Sequence, residues 1–263
     1  MKVFITGASS GIGEALASFY AGQGAVLGLA ARRADRLAEI NARLGGQHAC
    51  YSLDVCDAAA LSAAAEDFMA RHGPPDIVIA NAGISVGTLS EYAEDLEAFK
   101  RVMDVNVFGM AATFSPFIPA MQAAMADGRP RRLVGIASVA GIRGLPGAEA
   151  YSASKAAAIA YLESLRLEMR PSGLAVVTLL PGYVETPMTA INPYPMPFML
   201  PAAEAARRFA RVIARGSSYA VVPWQMGVVA KLLRLLPNWA YDLLFCNAPR
   251  KPRQASGKPS RTE

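Results

Sequence analysis

Short runs of apolar, often β-branched residues alternate with longer alanine-rich stretches along most of the chain. The runs predict seven strands, at residues 3–6, 26–31, 49–53, 77–80, 132–137, 175–180 and 219–222. The stretches between them predict helices near residues 11–22, 34–44, 58–72, 96–126, 151–169 and 202–215. Most strand candidates are apolar throughout, which is typical of a sheet covered on both faces. The pattern therefore predicts an α/β fold, a Rossmann-like doubly wound sheet of about seven parallel strands with helices on both faces.

No internal repeat or linker interrupts this pattern, and 263 residues suit one domain of this class. We therefore expect a single domain over residues 1–248. Within it, residues 181–201 contain six prolines, which prevents a long regular helix. This stretch follows the carboxyl end of a strand, where open α/β sheets bind their ligands. It is interpreted as a mobile substrate lid, with a long surface loop as the alternative.

The apolar segment at residues 223–246 is open to three interpretations. It is too short for a transmembrane helix, because the longest uncharged run that enters this segment, residues 217–230, has 14 residues, whereas about 20 are needed. The first interpretation is a helix pair that packs on the substrate side or at a subunit interface. The second is a peripheral membrane contact, with Trp224 and Trp239 as anchors between basic side chains. The third is an apolar cover over a long-chain substrate, for which the methionines of the lid would also be suited.

The net charge of +5 is concentrated at the C-terminus. Residues 249–263 carry five basic residues and one acidic residue, so the preceding residues are close to neutral. A basic terminus rich in proline, serine and glycine predicts a flexible, solvated tail, with weak contact to an anionic surface as the alternative. We expect no nucleic acid as a partner, because the domain itself carries little excess positive charge.

Cysteine and histidine residues are few and widely spaced. Cys50, Cys56 and Cys246 form no CxxC pair, and His48 and His72 lie far apart in sequence. We expect no metal site, and free thiols suit a reducing cytosol. The apolar run that opens the chain is too short for a signal peptide, so the predicted location is the cytoplasm.

A glycine-rich loop follows the first predicted strand and leads into the first predicted helix. Gly7 would permit a tight turn, Gly11 the close approach of a pyrophosphate, and Gly13 close packing of the helix on the strand. The phosphates would bind the unpaired amides at the start of the helix. The residues expected to contact a dinucleotide here are Gly7, Ser9, Ser10, Gly11, Ile12 and Gly13.

The end of the second strand predicts which dinucleotide is bound. NAD-binding sites usually carry a carboxylate about 20 residues beyond the glycines, which accepts from the ribose 2′-hydroxyl. Here Ala31 stands at that place, and Arg32 and Arg33 follow it. Guanidinium groups bind a 2′-phosphate through charge-assisted hydrogen bonds, so we expect NADP(H) rather than NAD(H). The alternative is that both arginines are solvated charges at the start of a helix.

Three further residues have the spacing of a known catalytic pattern. Ser138 ends the fifth strand, Tyr151 follows 13 residues later, and Lys155 lies one helical turn beyond Tyr151. Over residues 1–190 the chain resembles the short-chain dehydrogenases/reductases, on these residues together with the glycine loop, the Asn81-Ala82-Gly83 tripeptide, Asn106 and the Pro181-Gly182 pair. One departure is Ala80, where many members of that family have a second asparagine.

The chemistry of carbonyl reduction assigns a role to each of the three. Hydride must reach the carbon while a proton reaches the oxygen, and a tyrosine with a pKa of about 10 is a poor acid–base group unless its phenolate is stabilised. The Lys155 ammonium and the positive charge of the oxidised nicotinamide would supply that stabilisation. Tyr151 is therefore expected to be the general acid for reduction and the general base for oxidation. Ser138 would hold the substrate oxygen.

The resemblance implies further roles. Asn106 would bind a water that links Lys155 to solvent, unless it is a helix-interior residue satisfied locally. Lys155 would also hydrogen-bond the nicotinamide ribose. Asp54 and Val55 would contact the adenine, with a strand-end turn as the alternative role of Asp54. The remaining cofactor contacts that the resemblance implies are Asn81, Ala82, Gly83, Tyr151, Pro181, Gly182, Val184 and Thr186.

These features together predict an NADPH-dependent oxidoreductase that reduces a ketone or aldehyde to an alcohol. The composition of the lid suggests an apolar or long-chain carbonyl substrate, and the resemblance implies a homodimer or homotetramer. The alternative is a non-catalytic NADP(H)-binding regulatory protein of Rossmann-like fold, which would not need Ser138, Tyr151, Lys155 and Asn106. A Rossmann-like methyltransferase is disfavoured because the tyrosine and lysine would be idle there.

Overall fold

Seven parallel strands form the central sheet of the protein, whose computed structural model describes residues 1–253. In chain order the strands are β1 (Lys2–Thr6), β2 (Val26–Ala31), β3 (Ala49–Ser52), β4 (Ile77–Ala80), β5 (Arg132–Ile136), β6 (Ala175–Pro181) and, after a separate pair formed by β7 (Val184–Glu185) and β8 (Leu200–Pro201), β9 (Tyr219–Val222). The order across the sheet is β3-β2-β1-β4-β5-β6-β9. The winding reverses between β1 and β4, and in such sheets the ligand crevice lies beyond the carboxyl ends of these strands. The predicted doubly wound parallel sheet is confirmed.

Helices cover both faces of this sheet, as the continuous apolar strands predicted. They are α1 (Gly11–Gly22), α2 (Ala34–Arg43), α3 (Ala58–His72), α4 (Asp95–Met103), α5 (Gly109–Phe114), α6 (Ile118–Ala124), α7 (Glu149–Met169), α8 (Pro187–Ala190), α9 (Ala202–Arg215), α10 (Trp224–Leu235) and α11 (Asn238–Phe245). Val3 and Ile5 of β1 belong to the core beneath α1, α2 and α9, whereas Phe4 between them belongs to the core beneath α3 and α7. Alternate residues of one strand therefore serve two separate cores.

The prediction of a single helix over residues 96–126 was wrong, because the chain forms three shorter helices there. α4 ends in a π-helical turn at Asp104–Phe108, and a further turn separates α5 from α6. Pro116 and Pro119 account for the second break, since proline lacks the N–H of a helical hydrogen bond and is tolerated mainly in a first turn. The π-helical turn accommodates an extra residue and contains Asn106.

The proline-rich stretch after β6 contains only short elements. β7, the four-residue α8 and β8 are the regular parts of residues 181–201, in line with the absence of a long helix that the prolines predicted. Met188, Phe198 and Met199 are exposed rather than part of a core. The function of residues 181–201 as a substrate lid stays a prediction.

The first residues of the predicted flexible tail lie against the protein. Lys251 is buried and donates from Nζ to Ser85 Oγ at 3.0 Å, and Arg253 donates from Nε to Asp95 at 2.8 Å. Arg253 also forms an isolated parallel bridge with Gly87. The expectation of a solvated tail therefore fails for Lys251 and Arg253, which polar and backbone contacts hold, whereas Pro249, Arg250 and Pro252 are exposed. Residues 254–263 of the predicted tail lie outside the described residues.

Helices α10 and α11 account for the apolar segment near the C-terminus. They pack on the side of the loop after β5, where Arg143 donates to the Leu236 carbonyl at 2.7 Å and Tyr241 donates to the Gly144 carbonyl at 2.6 Å. Within residues 1–253, no helix has the length and apolar character needed to cross a membrane. The outer face of the pair nevertheless exposes a set of large apolar side chains: Trp224, Val228, Leu232, Leu235, Trp239, Leu243 and Leu244.

The subunit-interface interpretation of this face makes a measurable prediction. An exposed apolar surface of this kind favours association, so wild-type protein should be an oligomer by size-exclusion chromatography with light scattering. Changing both Leu235 and Leu243 to Glu should give a monomer, since two charges would have to be buried. Lys231→Glu on the same helix should leave the mass unchanged. A monomeric wild type that floats with anionic liposomes would instead support the membrane interpretation.

Candidate active site

The carboxyl end of β5 and the first turns of α7 bring Ser138, Tyr151 and Lys155 together. Ser138 follows β5 with an extended backbone, and its hydroxyl accepts from the Ala140 N–H at 3.2 Å. Tyr151 and Lys155 lie on one face of α7, with the lysine Nζ 5.7 Å from the centre of the tyrosine ring. Lys155 is 4% exposed and donates to the Ile136 carbonyl at 2.9 Å. A hydroxyl, a phenol and a buried ammonium thus share one end of the sheet.

Burial dominates the electrostatics of this group. It raises the pKa of Tyr151 above its usual value, and the nearby Ser138 hydroxyl partly offsets the rise. Burial also lowers the pKa of Lys155 to about 8. The rise results mainly from removal of the phenol from water. The expected stabilisation of the phenolate by Lys155 and the nicotinamide charge stays a prediction. In the described part of the chain, Lys155 has no carboxylate partner.

Asn106 is fully buried in the π-helical turn, and its side chain is satisfied by protein groups. Its Oδ1 accepts from the Ile84 N–H at 2.8 Å, while Nδ2 donates to the Ile84 carbonyl at 3.0 Å and to Ser154 Oγ at 2.9 Å. Ser154 in turn donates to the Tyr151 carbonyl at 2.8 Å. The side chain therefore connects the loop after β4 to the first turn of α7. This matches the alternative in which Asn106 is a helix-interior residue satisfied by nearby protein groups. Ser154 and Ile84 were missed because nothing in their spacing distinguishes them from neighbouring helix and loop residues.

Gly83 lies where Asn106 and Lys155 approach each other. A Cβ atom at Gly83 would be 3.1 Å from Asn106 Oδ1 and 3.5 Å from Lys155 Nζ. Both polar atoms therefore border the space that this glycine leaves free. The water relay implied by the family resemblance would have to use this space or the Asn106 backbone, and it stays a prediction.

The glycine-rich loop after β1 has a shape that depends on its glycines. Gly7 and Gly11 have φ angles of 67° and 58°, which side chains other than glycine rarely adopt. At Gly13 a Cβ would lie 2.2 Å from the Gly7 carbonyl oxygen, so the helix can approach the strand only with glycine there. Asn81 supports the loop from β4, donating from Nδ2 to the Thr6 carbonyl at 3.1 Å and the Gly7 carbonyl at 3.2 Å.

This loop fits the pyrophosphate of a dinucleotide. Ser10 precedes α1 and makes no side-chain cap, so the first amides of the helix are not satisfied in that way. Such amides at a helix start bind phosphate. Thr186 of the segment after β6 reaches the loop, because a Cβ at Gly11 would lie 3.1 Å from its Cγ2. Ser9, Ser10 and Ile12 lie in the same loop, beside the positions of the three glycines.

The two arginines that follow β2 differ in their contacts and in their exposure. Arg33 reaches back to the glycine loop, where Nη2 donates to Ser9 Oγ at 3.2 Å and to the Ser9 carbonyl at 3.4 Å. Arg32 is exposed, and its carbonyl accepts from Ser52 Oγ at 3.1 Å. The Arg33 guanidinium group therefore borders the glycine loop, and the exposed side chain of Arg32 has room to turn towards this loop.

Other residues expected to contact the cofactor have structural roles as well. Asp54 Oδ1 accepts from the Cys56 N–H at 2.9 Å, which is the strand-end turn given as its alternative. The Val55 side chain is buried against Gly109 of α5, and Val184 is buried in the core beneath α9. The Gly182 N–H donates to the β9 carbonyl at Val222 at 2.9 Å, directly after the buried Pro181. The side chains of Val55 and Val184 therefore pack in the core. The cofactor contacts expected of these residues, and of Asn81, Ala82 and Gly83 after β4, stay predictions.

Comparison with known proteins identifies the class to which this site belongs. A family model described as short chain dehydrogenase matches residues 1–193. An uncharacterized oxidoreductase of Myxococcus xanthus (strain DK1622) is 37% identical over 241 residues, which cover 90% of this chain and 93% of the relative. A 2-dehydro-3-deoxy-L-rhamnonate dehydrogenase (NAD(+)) of Sphingomonas sp. (strain SKA58) is 36% identical over 184 residues, 70% of this chain and 72% of the relative. The protein is therefore an oxidoreductase, and it belongs to the short-chain dehydrogenase/reductase family.

Solved structures of the same fold hold nicotinamide cofactors of both types. The 3-ketoacyl-(acyl-carrier-protein) reductase of Brucella melitensis complexed with NADH has a TM-score of 0.77 and 27% identity, covering 84% of this chain and 96% of that one. An alcohol dehydrogenase from the archaeon Thermococcus sibiricus complexed with 5-hydroxy-NADP has a TM-score of 0.74 and 27% identity, covering 84% and 95%. Membership of the family therefore leaves the choice between NAD and NADP to the residues of the site.

The buried amide of Asn106 generates a stability prediction. Asn106→Leu would leave the N–H and carbonyl of Ile84 without partners, and we expect a loss of about 2–4 kcal/mol in the free energy of unfolding, measured by urea denaturation. Asn41→Leu is a matched control, because Asn41 holds the backbone of His48 by the same pair of contacts, at 3.0 and 3.1 Å, far from the site.

Both variants should lose stability, but only the change at Asn106 should also lower kcat in assays well below either unfolding midpoint. Equal kcat in the two variants would contradict a positioning role for Asn106.

Proposed function

We propose that the protein is an NADPH-dependent reductase that converts a ketone or aldehyde to an alcohol. The observation that carries this proposal is the convergence of Ser138, Tyr151 and Lys155 beside the glycine loop. A bound nicotinamide dinucleotide would supply the hydride. Residues of the loop, Gly7, Gly11 and Gly13 above all, would hold its pyrophosphate, and Lys155 would hydrogen-bond the nicotinamide ribose.

The protein groups would supply the proton and hold the substrate. Tyr151 is protonated at neutral pH, which is the state that a proton donor for reduction requires, but burial raises its pKa and makes loss of the proton more costly. Ser138 would donate to the carbonyl oxygen as negative charge develops on it. The Lys155 ammonium would stabilise the phenolate once the proton has left Tyr151. Reduction is the proposed direction because NADPH usually serves as a reductant.

Arg33 supports the choice of NADP(H) over NAD(H). Its guanidinium group lies at Ser9, beside the loop that would hold the pyrophosphate, and Arg32 precedes it at the end of β2. No carboxylate stands at Ala31, where a 2′-hydroxyl would be bound. Two cations at this place favour a 2′-phosphate.

A non-catalytic regulatory protein is the weaker alternative. Such a protein gains nothing from a buried lysine without a carboxylate partner, and burial of an ammonium costs several kcal/mol.

The exposed Met188, Phe198 and Met199 of the lid support an apolar substrate. The cytoplasmic location and the homo-oligomeric state remain predictions, as before.

The proton donor is tested with Tyr151→Phe. Removal of the phenol hydroxyl should abolish NADPH oxidation with a panel of ketones and aldehydes, followed at 340 nm, while NADPH still binds with little change in Kd. Tyr161→Phe, ten residues along the same helix, should keep wild-type turnover. Retained turnover in Tyr151→Phe would remove this residue from the mechanism.

The cofactor preference is tested at the two arginines. Arg33→Leu should lower kcat/KM for NADPH by roughly 10- to 100-fold, as expected when a charge-assisted contact is lost, and should change the value for NADH little. Arg32→Asp should weaken or reverse the preference. Arg36→Gln is the control, because Arg36 lies in the first turn of α2, close after the two arginines in sequence, and pairs with Glu39. A wild-type preference for NADH would refute the assignment.

A further inference from the structure

Residues 249–253, termed here the C-terminal strap, cross the loop that follows β4. Their backbone comes so close to Gly87 that a Cβ there would lie 2.3 Å from the Lys251 carbonyl oxygen and 2.6 Å from that of Pro252. Arg253 forms a parallel bridge with the same glycine. Only glycine at position 87 accommodates this approach, so the loop and the strap fit each other closely.

Arg253 anchors the far end of the strap. Its guanidinium makes a two-point contact with Asp95, from Nε at 2.8 Å and from Nη2 at 3.1 Å, and Nη2 also donates to Glu94 at 3.1 Å. The same group stacks on the ring of Tyr92, 3.5 Å from its centre. Asp95 is buried and accepts from the Leu89 N–H as well. Paired, stacked contacts of this kind hold a segment in one position.

The near end of the strap lies against the loop that leads into α7. A Cβ at Gly147, four residues before Tyr151, would lie 2.8 Å from Arg250 Cβ. The strap therefore bridges the two loops that flank the candidate active site. One of them contains Gly83 and Ile84, which border Lys155 and Asn106, and the other leads to Tyr151.

Lys251 lies in the middle of the strap and turns inwards. It is 8% exposed, and its Nζ donates to Ser85 Oγ at 3.0 Å. Ser85 is two residues beyond Gly83, a span of at most ~7 Å of chain. Among residues 1–253 no carboxylate pairs with Lys251, whereas the nearby Asp95 and Glu94 are engaged by Arg253.

Among the described residues the buried ammonium of Lys251 has no carboxylate partner, so its burial costs more free energy than that of a neutral side chain in contact with Ser85. Burial lowers the pKa of Lys251 to about 8, so the ammonium form still predominates at pH 7. A positive charge kept in such a place is compensated when an anion binds to it. The serine hydroxyl beside it can orient such an anion by a second hydrogen bond.

We propose that Lys251 is a specificity-determining residue that binds the carboxylate of an oxo-acid substrate whose carbonyl oxygen lies at Ser138 and Tyr151. This inference rests on the proposed function, since it names the class of substrate that the reductase accepts. The lid and the methylene chain of such an acid would make the apolar contacts. The ammonium of Lys251 and the hydroxyl of Ser85 would receive the charged end.

The test uses the full chain and pairs of substrates in which one member carries a carboxylate and the other its neutral methyl ester. A series of linear oxo acids of four to ten carbons is compared with the corresponding methyl esters, as substrates with NADPH. Wild type should prefer the acid at one or more chain lengths. Lys251→Met should raise KM for that acid by roughly 10- to 100-fold, the size expected for a lost charge-assisted hydrogen bond, and change kcat/KM for the ester less than about 2-fold.

Two further variants separate charge from packing. Lys251→Arg keeps the positive charge and should keep most of the preference for the acid. Lys231→Met removes the same charge from exposed α10 and should leave every constant unchanged. Thermal unfolding shows whether each variant retains the wild-type fold, and Lys251→Gln replaces the methionine variant if that one unfolds early.

A binding measurement supplies a readout that does not depend on turnover. With NADP⁺ no hydride is available, so isothermal titration calorimetry can follow the binding of the preferred oxo acid and its ester. Wild type should bind the acid more tightly, and Lys251→Met should lose that difference.

Equal loss for acid and ester in Lys251→Met, or a wild type that reduces neutral ketones without preferring any acid, would overturn the role of Lys251 while leaving the proposed function intact. A protein that neither binds NADP(H) nor reduces any member of the panel would overturn both.

Discussion

The side-chain amide of Asn106 holds the candidate active site together. It reaches from a π-helical turn to the backbone of Ile84 on one side and to Ser154 on the other, and Ser154 contacts the carbonyl of Tyr151. Because the amide is fully buried, each of these hydrogen bonds would be costly to leave unmade. The loop after β4 and the first turn of α7, which come from distant parts of the chain, are thereby fixed relative to each other. The position of Tyr151 depends on this connection.

The second constraint is the burial of charge and of an ionisable phenol at the end of β5. Lys155 is held by a backbone carbonyl rather than by a carboxylate, so its charge is not neutralised locally. A carboxylate there would compete with a phenolate for the ammonium and would weaken its effect on Tyr151. The carbonyl of Ile136 orients the lysine while leaving its net charge available to the neighbouring phenol. Lys155, whose burial costs free energy, is therefore also the residue that would stabilise the phenolate.

Much of the fold could be predicted from the sequence, because most strands of this sheet are apolar runs covered on both faces, and glycine and proline mark the ends of elements. The glycine loop and the grouping of Ser138, Tyr151 and Lys155 could also be predicted from the sequence. The break between α5 and α6 follows from Pro116 and Pro119 and could have been predicted, whereas the other failures involve contacts between distant residues. The π-helical turn contains Asn106, whose amide binds Ile84, and the docking of residues 249–253 involves Gly87 and Asp95. Composition alone describes neither contact.

The position of the lid, of α10 and α11, and of the C-terminal strap has a consequence for how such a protein diversifies. All of them follow β6 in the chain, whereas the glycine loop and both arginines precede β3. Substitutions in α10, α11 and the strap can therefore reshape the surroundings of Ser138 and Tyr151 without changing the glycine loop or either arginine, whereas the start of the lid contacts that loop through Thr186 and Gly11. The segments expected to select the substrate are thus inherited largely apart from those expected to hold the nucleotide.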